Sequence, residues 1–204
     1  MGGTVISLVG DFTRIAGKLR LSAFDALIAY ASFEMVLETV DVDLNADSTI
    51  EPAADLIDAQ LLTIDLQLAP TDDPDLLTGG GSGTQPGLFV GIPGSFGFAV
   101  DSGQLVFATI KANADPAKSP AGFDRTYTAL TAGVRGAGFV GLPEDIVIEA
   151  TFLEVVSNSS TGTIPAAPVG LNWTTAFDLD EDGIFGEENV DTLSVGGRAI
   201  TLED

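Results

Sequence analysis

The chain contains no histidine and no cysteine. That excludes imidazole general-base catalysis, thiol nucleophiles, metal centres built from His and Cys, and disulfide staples. Basic residues are scarce: 8 Lys and Arg stand against 30 Asp and Glu, a net charge of −22. A surface of that sign repels phosphate backbones and anionic lipid and attracts cations, so no nucleic-acid partner is expected. Long apolar runs are missing as well. The densest, residues 26–31, is bracketed by Asp25 and Glu34. It falls far short of the ~18 apolar residues of a membrane helix, and no membrane insertion is expected. No basic stretch leading into an apolar one follows Met1-Gly2-Gly3. The chain opens directly in strand-like sequence, as expected of a piece of something longer. One Trp and two Tyr leave few aromatic platforms for carbohydrate.

What is present suffices for a fold. Hydrophobic residues make up 45% of the 204, too many for charge-driven disorder and enough for a sizeable core. Alternation with period two dominates. Leu62, Ile64, Leu66 and Leu68 alternate with Thr63, Asp65 and Gln67. Val40, Val42 and Leu44 alternate with Asp41 and Asp43, and Leu19 and Leu21 with Lys18, Arg20 and Ser22. Ile146, Ile148, Ala150 and Phe152 form a fourth such set. Each predicts a strand with one buried and one wet face, and polar outer faces favour antiparallel pairing. Residues 22–38 and 53–61 are rich in Ala, Leu and Glu, which suits helix, but each runs straight into an alternating segment and reads mainly as strand, with room for a short helix near 52–58. The expected fold class is all-β, mainly antiparallel, packed as a sandwich or as an elongated curved sheet with little helix. One domain spans 1–204.

Turn chemistry separates these runs. Asp101-Ser102-Gly103 predicts a hairpin between 96–100 and 105–112, and Gly196-Gly197 predicts one between 192–195 and 198–202. Residues 71–87 and 115–122 read as loops. Phe89-Val90-Gly91-Ile92-Pro93 returns as Phe139-Val140-Gly141-Leu142-Pro143. Proline cannot donate to a ladder, so both copies belong at strand ends, as two similar corners of one sheet.

The strongest chemical signal is Asp178-Leu179-Asp180-Glu181-Asp182-Gly183. Carboxylates at every second residue, followed by a glycine turn, are how a chain wraps a hard cation such as Ca²⁺. Counted as an EF-hand-type loop, Asp178, Asp180 and Asp182 take the first, third and fifth places and Gly183 the turn. The carbonyl of Ile184 takes the seventh, and Phe185 anchors the loop on the core. The twelfth place is Asn189 in place of a bidentate Glu, so Glu187, Glu188 or Asp191, or water, must close the shell. No clear helix pattern follows, so a loop between strands is expected, of weak affinity. The bland alternative is a solvated acidic turn.

Other motifs are weaker. Asp101-Ser102-Gly103 also matches the Asp-Ser/Thr-Gly turn of aspartic proteases, whose chemistry needs two carboxylates sharing a proton. The chain has no second copy, so that reading requires a dimer. Asn158-Ser159-Ser160 and Asn172-Trp173-Thr174 fit the glycosylation acceptor pattern, which is short and frequent by chance. The glycines at 79–83 are not followed by the Lys-Ser/Thr of a phosphate loop.

The run from Trp173 through Asp182 and Gly183 to Phe185-Gly186-Glu187, taken with the paired Phe-Val-Gly corners, the segment 96–108 and Tyr127-Thr128-Ala129-Leu130, resembles one repeat unit of the giant tandem-repeat extracellular proteins of bacteria. These are adhesin-like and often carry haemolysin-type calcium repeats elsewhere. The resemblance spans about residues 10–202. It implies secretion to the exterior or cell surface, a non-catalytic structural or adhesive role, and neighbouring repeats of the same parent chain as partners. For metal it carries over only to Asp178, Asp180 and Asp182. A different class of function stays open: a long sheet with an apolar face makes a groove for lipid or another apolar ligand if that face is uncovered.

Overall fold

The computed structural model describes residues 12–24, 26–70, 86–92, 95–143, 145–163, 169–180, 182–187 and 190–203. The fold is all-β. Its strands are β1 (Thr13–Ala23), β2 (Leu27–Val42), β3 (Leu56–Leu68), β4 (Leu88–Gly91), β5 (Gly97–Lys111), β6 (Thr126–Val140), β7 (Glu149–Thr161), β8 (Ser194–Val195) and β9 (Arg198–Ala199). Seven form one antiparallel sheet in the order β1-β2-β3-β5-β6-β7, with β4 pairing β2 and β5 beyond the end of β3. β8 and β9 make a separate hairpin whose turn, Gly196-Gly197, takes positive φ at both residues, as the sequence predicts. The ambiguous windows are strand: 27–42 and 56–68 pair along their lengths, and 52–54 is a turn, not a helix. The only helical piece among the described residues is a 3₁₀ turn at Pro116–Lys118, capped by the Asp115 carboxylate.

Two expectations about turns and strand ends need correction. Asp101-Ser102-Gly103 is no hairpin; it lies inside β5, which runs through it without reversing. The triplet marks a crease instead. Opposite residues in the β5–β6 and β6–β7 ladders skip Asp101, Gly136 and Thr151, one on each strand. Gly136 takes φ +61, and a Cβ there would lie 2.2 Å from the Asp101 carboxylate, so only glycine fits. The second concerns the alternating set at the end of the sheet: Ile146 and Ile148 precede β7, which begins at Glu149.

The two Phe-Val-Gly copies lie where expected. One ends β4 and the other ends β6, and they flank the start of β5 from opposite sides, with Val90 and Phe139 both paired to Phe98. Phe139 stacks on Phe96 and meets Phe98 edge-on, closing that corner.

The register assigns each paired strand residue to one of two faces, because residues directly opposite share a face. On the first face lie Leu61, Val106, Ala108, Ile110, Tyr127 and Ala129, all buried. They are covered by the C-terminal segment, which sets Leu171, Trp173, Phe177, Leu193, Val195 and Ile200 against them. Trp173 and Phe177 are fully enclosed. This packing reverses the expected sense of β3. Thr63 and Asp65 point into the covered face and are buried, while Leu62, Ile64, Leu66 and Leu68 are only half-buried on the other. The reason is local satisfaction. Asp65 accepts from Gln67 Nε2 (2.7 Å) and Gln104 Nε2 (2.8 Å), and the Gly196 turn sits directly over it.

On the second face four paired rows cross all six strands, and a further row, Thr39-Gln60-Lys111-Thr126-Thr161, crosses the five from β2 to β7. The first of the four is Thr13-Leu37-Leu62-Thr109-Thr128-Ser159 and the last Leu19-Ala31-Leu68-Gly103-Val134-Leu153. These four rows hold no charged side chain. The strand charges across the same span, Arg14, Lys18, Glu34, Asp65 and Glu154, all alternate onto the first face.

Candidate metal centre

Residues 178–191 leave the core at Phe177 and return to it at Leu193, both buried. Between them the chain wraps two carboxylates. Asp178 accepts from the backbone N–H of Asp182 (3.1 Å) and of Gly183 (2.8 Å). Asp191, with 1% of its surface exposed, accepts from Leu179 N–H (2.7 Å) and Glu187 N–H (2.9 Å). Gly183 takes φ +87, the predicted sharp turn.

The acids converge as the spacing requires. Carboxylate oxygens of Asp178, Asp180 and Asp191 lie within 4.8 Å of one another, and so do those of Asp180, Asp182 and Glu187. Asp180 belongs to both groups. It titrates above the usual carboxylate range, through loss of surrounding water and then through the negative charges of Asp182, Asp191 and Asp178, against a backbone hydrogen bond from Asp182. Ile184 donates its N–H to Asp182 Oδ1 and its side chain is exposed. Phe185 is only half-buried; the deeper anchor is Phe177. Glu181, Glu188 and Asn189 lie outside the described residues.

A second loop of the same build, which the sequence reading missed, spans 43–55. Asp43 accepts from Asn45, Ala46 and Ser48 N–H groups. Asp55, fully buried, accepts from Leu44 N–H (2.9 Å) and Glu51 N–H (3.0 Å). Asp55 therefore bonds the residue after the first Asp and the Glu four places before itself, as Asp191 does. The backbone repeats the match: Asp55 N–H reaches Glu51 O at 2.8 Å and Asp191 N–H reaches Glu187 O at 3.0 Å. The signal stands in the sequence. Asp43-Leu44-Asn45-Ala46-Asp47 parallels Asp178-Leu179-Asp180-Glu181-Asp182, and Glu51…Asp55 parallels Glu187…Asp191. The loops are also neighbours, since Asp43 N–H donates to Ala176 O (3.0 Å).

They differ at one telling place. Where the later loop has Asp180, the earlier has Asn45, whose amide donates to Asp47 at 3.0 Å. The first loop is thereby satisfied within itself. The later one carries an extra carboxylate with like charges around it, and among the described residues only it brings three acids within ligand reach of each other.

The remaining motifs resolve structurally. Asn158 is occupied: its amide donates to Leu171 O and Glu203 O, both at 2.8 Å, and its oxygen accepts from Trp173 Nε1 at 3.1 Å. Asn172 Oδ1 accepts from Thr174 N–H and its hydroxyl, a local turn. Among the described residues no helix is long and apolar enough to cross a membrane. In comparisons with protein-family models, with characterised proteins and with solved structures, nothing matches this chain.

Proposed function

We propose that this chain is a non-catalytic structural and adhesive unit of a large secreted or cell-surface bacterial protein, stiffened by Ca²⁺ in the loop at 178–191. The observation that carries the metal is the crowding of Asp180 against Asp178, Asp182 and Asp191 in a loop whose sister has an amide at that place. All-oxygen donors suit a hard cation. Asp178, Asp180, Asp182, Glu187 and Asp191 supply carboxylates, and the Ile184 carbonyl and Glu188 complete the expected set. The setting outside the cell and the neighbouring repeats as partners rest on the sequence resemblance.

The mechanism is mechanical. The loop joins Phe177 to Leu193, both part of the layer that covers the sheet. A cation held there cross-links the two halves of that layer and offsets part of the repulsion among 30 acids. Binding only to the folded chain adds about 2.7 kcal/mol at a hundredfold excess over Kd. Thermal melting in Ca²⁺, in Mg²⁺ and in chelator tests this. We expect a higher midpoint in Ca²⁺ that Asp180→Asn abolishes; equal midpoints in Ca²⁺ and chelator end the claim.

One observation favours a second reading, an apolar-ligand groove. The uncharged face of the sheet has a shallow depression of about 350 Å³, lined by residues including Leu66, Leu68, Gly103, Ala132 and Leu153. Co-purified lipid detected by mass spectrometry would support it.

A further inference from the structure

We propose that the uncharged face of the seven-stranded sheet binds a second copy of itself, closing two chains into one face-to-face sandwich.

Three observations lead there. The first is charge. A chain with 30 acids and 8 bases has four consecutive rows across six strands with none of either, while within that span the strand charges lie on the opposite face and the first charge on this one is Lys111, in the next row. Alternation permits charge on both faces, so its confinement to one marks the other for removal from water. Yet among the described residues nothing covers that face: Ile15, Leu37, Leu153 and Val155 are 47%, 44%, 54% and 59% exposed.

The second is area. Six strands spaced ~4.8 Å apart, in four rows ~6.7 Å apart, present about 600 Å². Two such faces bury about 1,200 Å² together, above the roughly 1,000 Å² expected of a specific interface. One such face, at about 600 Å², is also at the upper end of what a lone soluble chain leaves open.

The third is shape. Bulk and hollow lie on opposite halves of the face. Phe33 on β2 leans over Gly17 of β1, with its ring 3.4 Å from where a Cβ would be, and makes a ridge with Ile15 and Met35. Gly103, Ala132 and Val134 on β5 and β6 make the depression. A two-fold axis parallel to the strands, between β3 and β5, lays β2 of one copy over β6 of the other. In the row Phe33-Leu66-Leu105-Ala132-Val155, it sets one copy's Phe33 above the other's Ala132 and joins the two Leu66–Leu105 pairs at the centre. Ridge meets hollow twice, as an isologous interface requires. Two twisted sheets ~10 Å apart with strands ~30° off parallel pack in this way. A lipid would fill the hollow but leave the ridge and the outer strands wet.

Sedimentation equilibrium on the full chain in chelator, which keeps the result separate from Ca²⁺ binding, tests the proposal. Val155 and Val156 are neighbours on β7 pointing to opposite faces, and both are exposed in the single chain, so a glutamate at either leaves the fold intact. We expect wild type at twice the 21.0 kDa chain mass. Val155→Glu should weaken the dimer by roughly a hundredfold or more, since each copy would bury an unpaired charge. Val156→Glu should leave it unchanged, with the same far-ultraviolet circular dichroism in all three. A wild type that is monomeric at ~100 μM overturns the proposal, and bound lipid in that monomer would give the face to an apolar ligand instead. Equal weakening by both variants overturns it too. A monomer whose melting Val155→Glu alone lowers would put a segment of the same chain on the face.

Discussion

Asp55 and Asp191 are carboxylates almost without contact with water, and each accepts two backbone N–H groups of its own loop. Burying charge is costly unless hydrogen bonds replace water, and here they do, at 2.7 to 3.0 Å. Each Asp is thus a staple that closes a loop of a dozen or so residues, whether or not a cation is near. Replacing either by Ala strands two donors at about 1–3 kcal/mol each. We expect Asp55→Ala and Asp191→Ala to lower stability by ~2–4 kcal/mol in urea titrations done in chelator. A loss below ~1 kcal/mol in either would mean that water reaches the freed N–H groups. Asp180 is a different case, since the backbone hydrogen bond it accepts comes from Asp182, two residues on, and desolvation with like-charged neighbours pushes it toward its neutral form. Asp180→Asn is expected to leave the metal-free chain as stable as wild type or more so, and to remove the calcium-dependent rise. The two kinds of substitution separate a carboxylate that holds the chain from one that waits for a cation.

Asn158 is the side chain by which the C-terminal cover is tied to the sheet. From β7 it reaches Leu171 O, Glu203 O and Trp173 Nε1, bridging both ends of the segment. Trp173 adds a backbone bond to Leu202 O (2.8 Å), and Gly170 passes so close to Asn158 that a Cβ would overlap its amide. Asn158→Ala frees two carbonyls and an indole N–H, and we expect ~2–3 kcal/mol of lost stability. Because the chain has a single Trp, its fluorescence reports the cover alone. In the variant, the Trp emission should shift to the red at lower urea than the loss of sheet circular dichroism; coincident transitions would mean that cover and sheet unfold as one. At this scale the limits of the sequence are plain. Alternation revealed that 27–42 and 56–68 are strands, because period two is a property of the strand itself. It could not reveal that Thr63 and Asp65 face inward, because that depends on Gln104 and the Gly196 turn, which come from elsewhere in the chain. Asp101-Ser102-Gly103 read as a turn for a related reason: a crease uses turn residues too, and only the opposing Gly136 distinguishes the two. The acid loop was legible because its ligands are local. Its sister at 43–55 escaped because no glycine follows Asp47; Ala46 and Ser48 supply the positive φ there.

Across the whole molecule, charge and apolarity are sorted by face and by end, and pH is the variable that tests the sorting. The net charge of −22 works against the folded state through self-repulsion. Among the described residues, two carboxyls have folded pKa values raised above their ordinary ones: Glu38 through burial, and Asp180 through desolvation and its acidic neighbours. A carboxyl raised in this way binds its proton more tightly folded than unfolded. Its ionised form therefore costs stability at neutral pH, and that cost disappears as pH falls through the folded pKa toward the unfolded value. Glu34 acts oppositely. The Arg14 guanidinium beside it lowers its pKa, so its small, exposed contribution is kept at mildly acidic pH and lost only as pH falls through that lowered value. In chelator the melting midpoint should accordingly rise from pH 7 to pH 5 and fall again in stronger acid. In saturating Ca²⁺ the rise should shrink or reverse, because protons compete with the cation for the same carboxylates. Asp180→Asn should bring the two curves together. A metal-free midpoint that is flat or falling between pH 7 and pH 5 would show that the crowding at Asp180 and the burial of Glu38 carry no energetic weight.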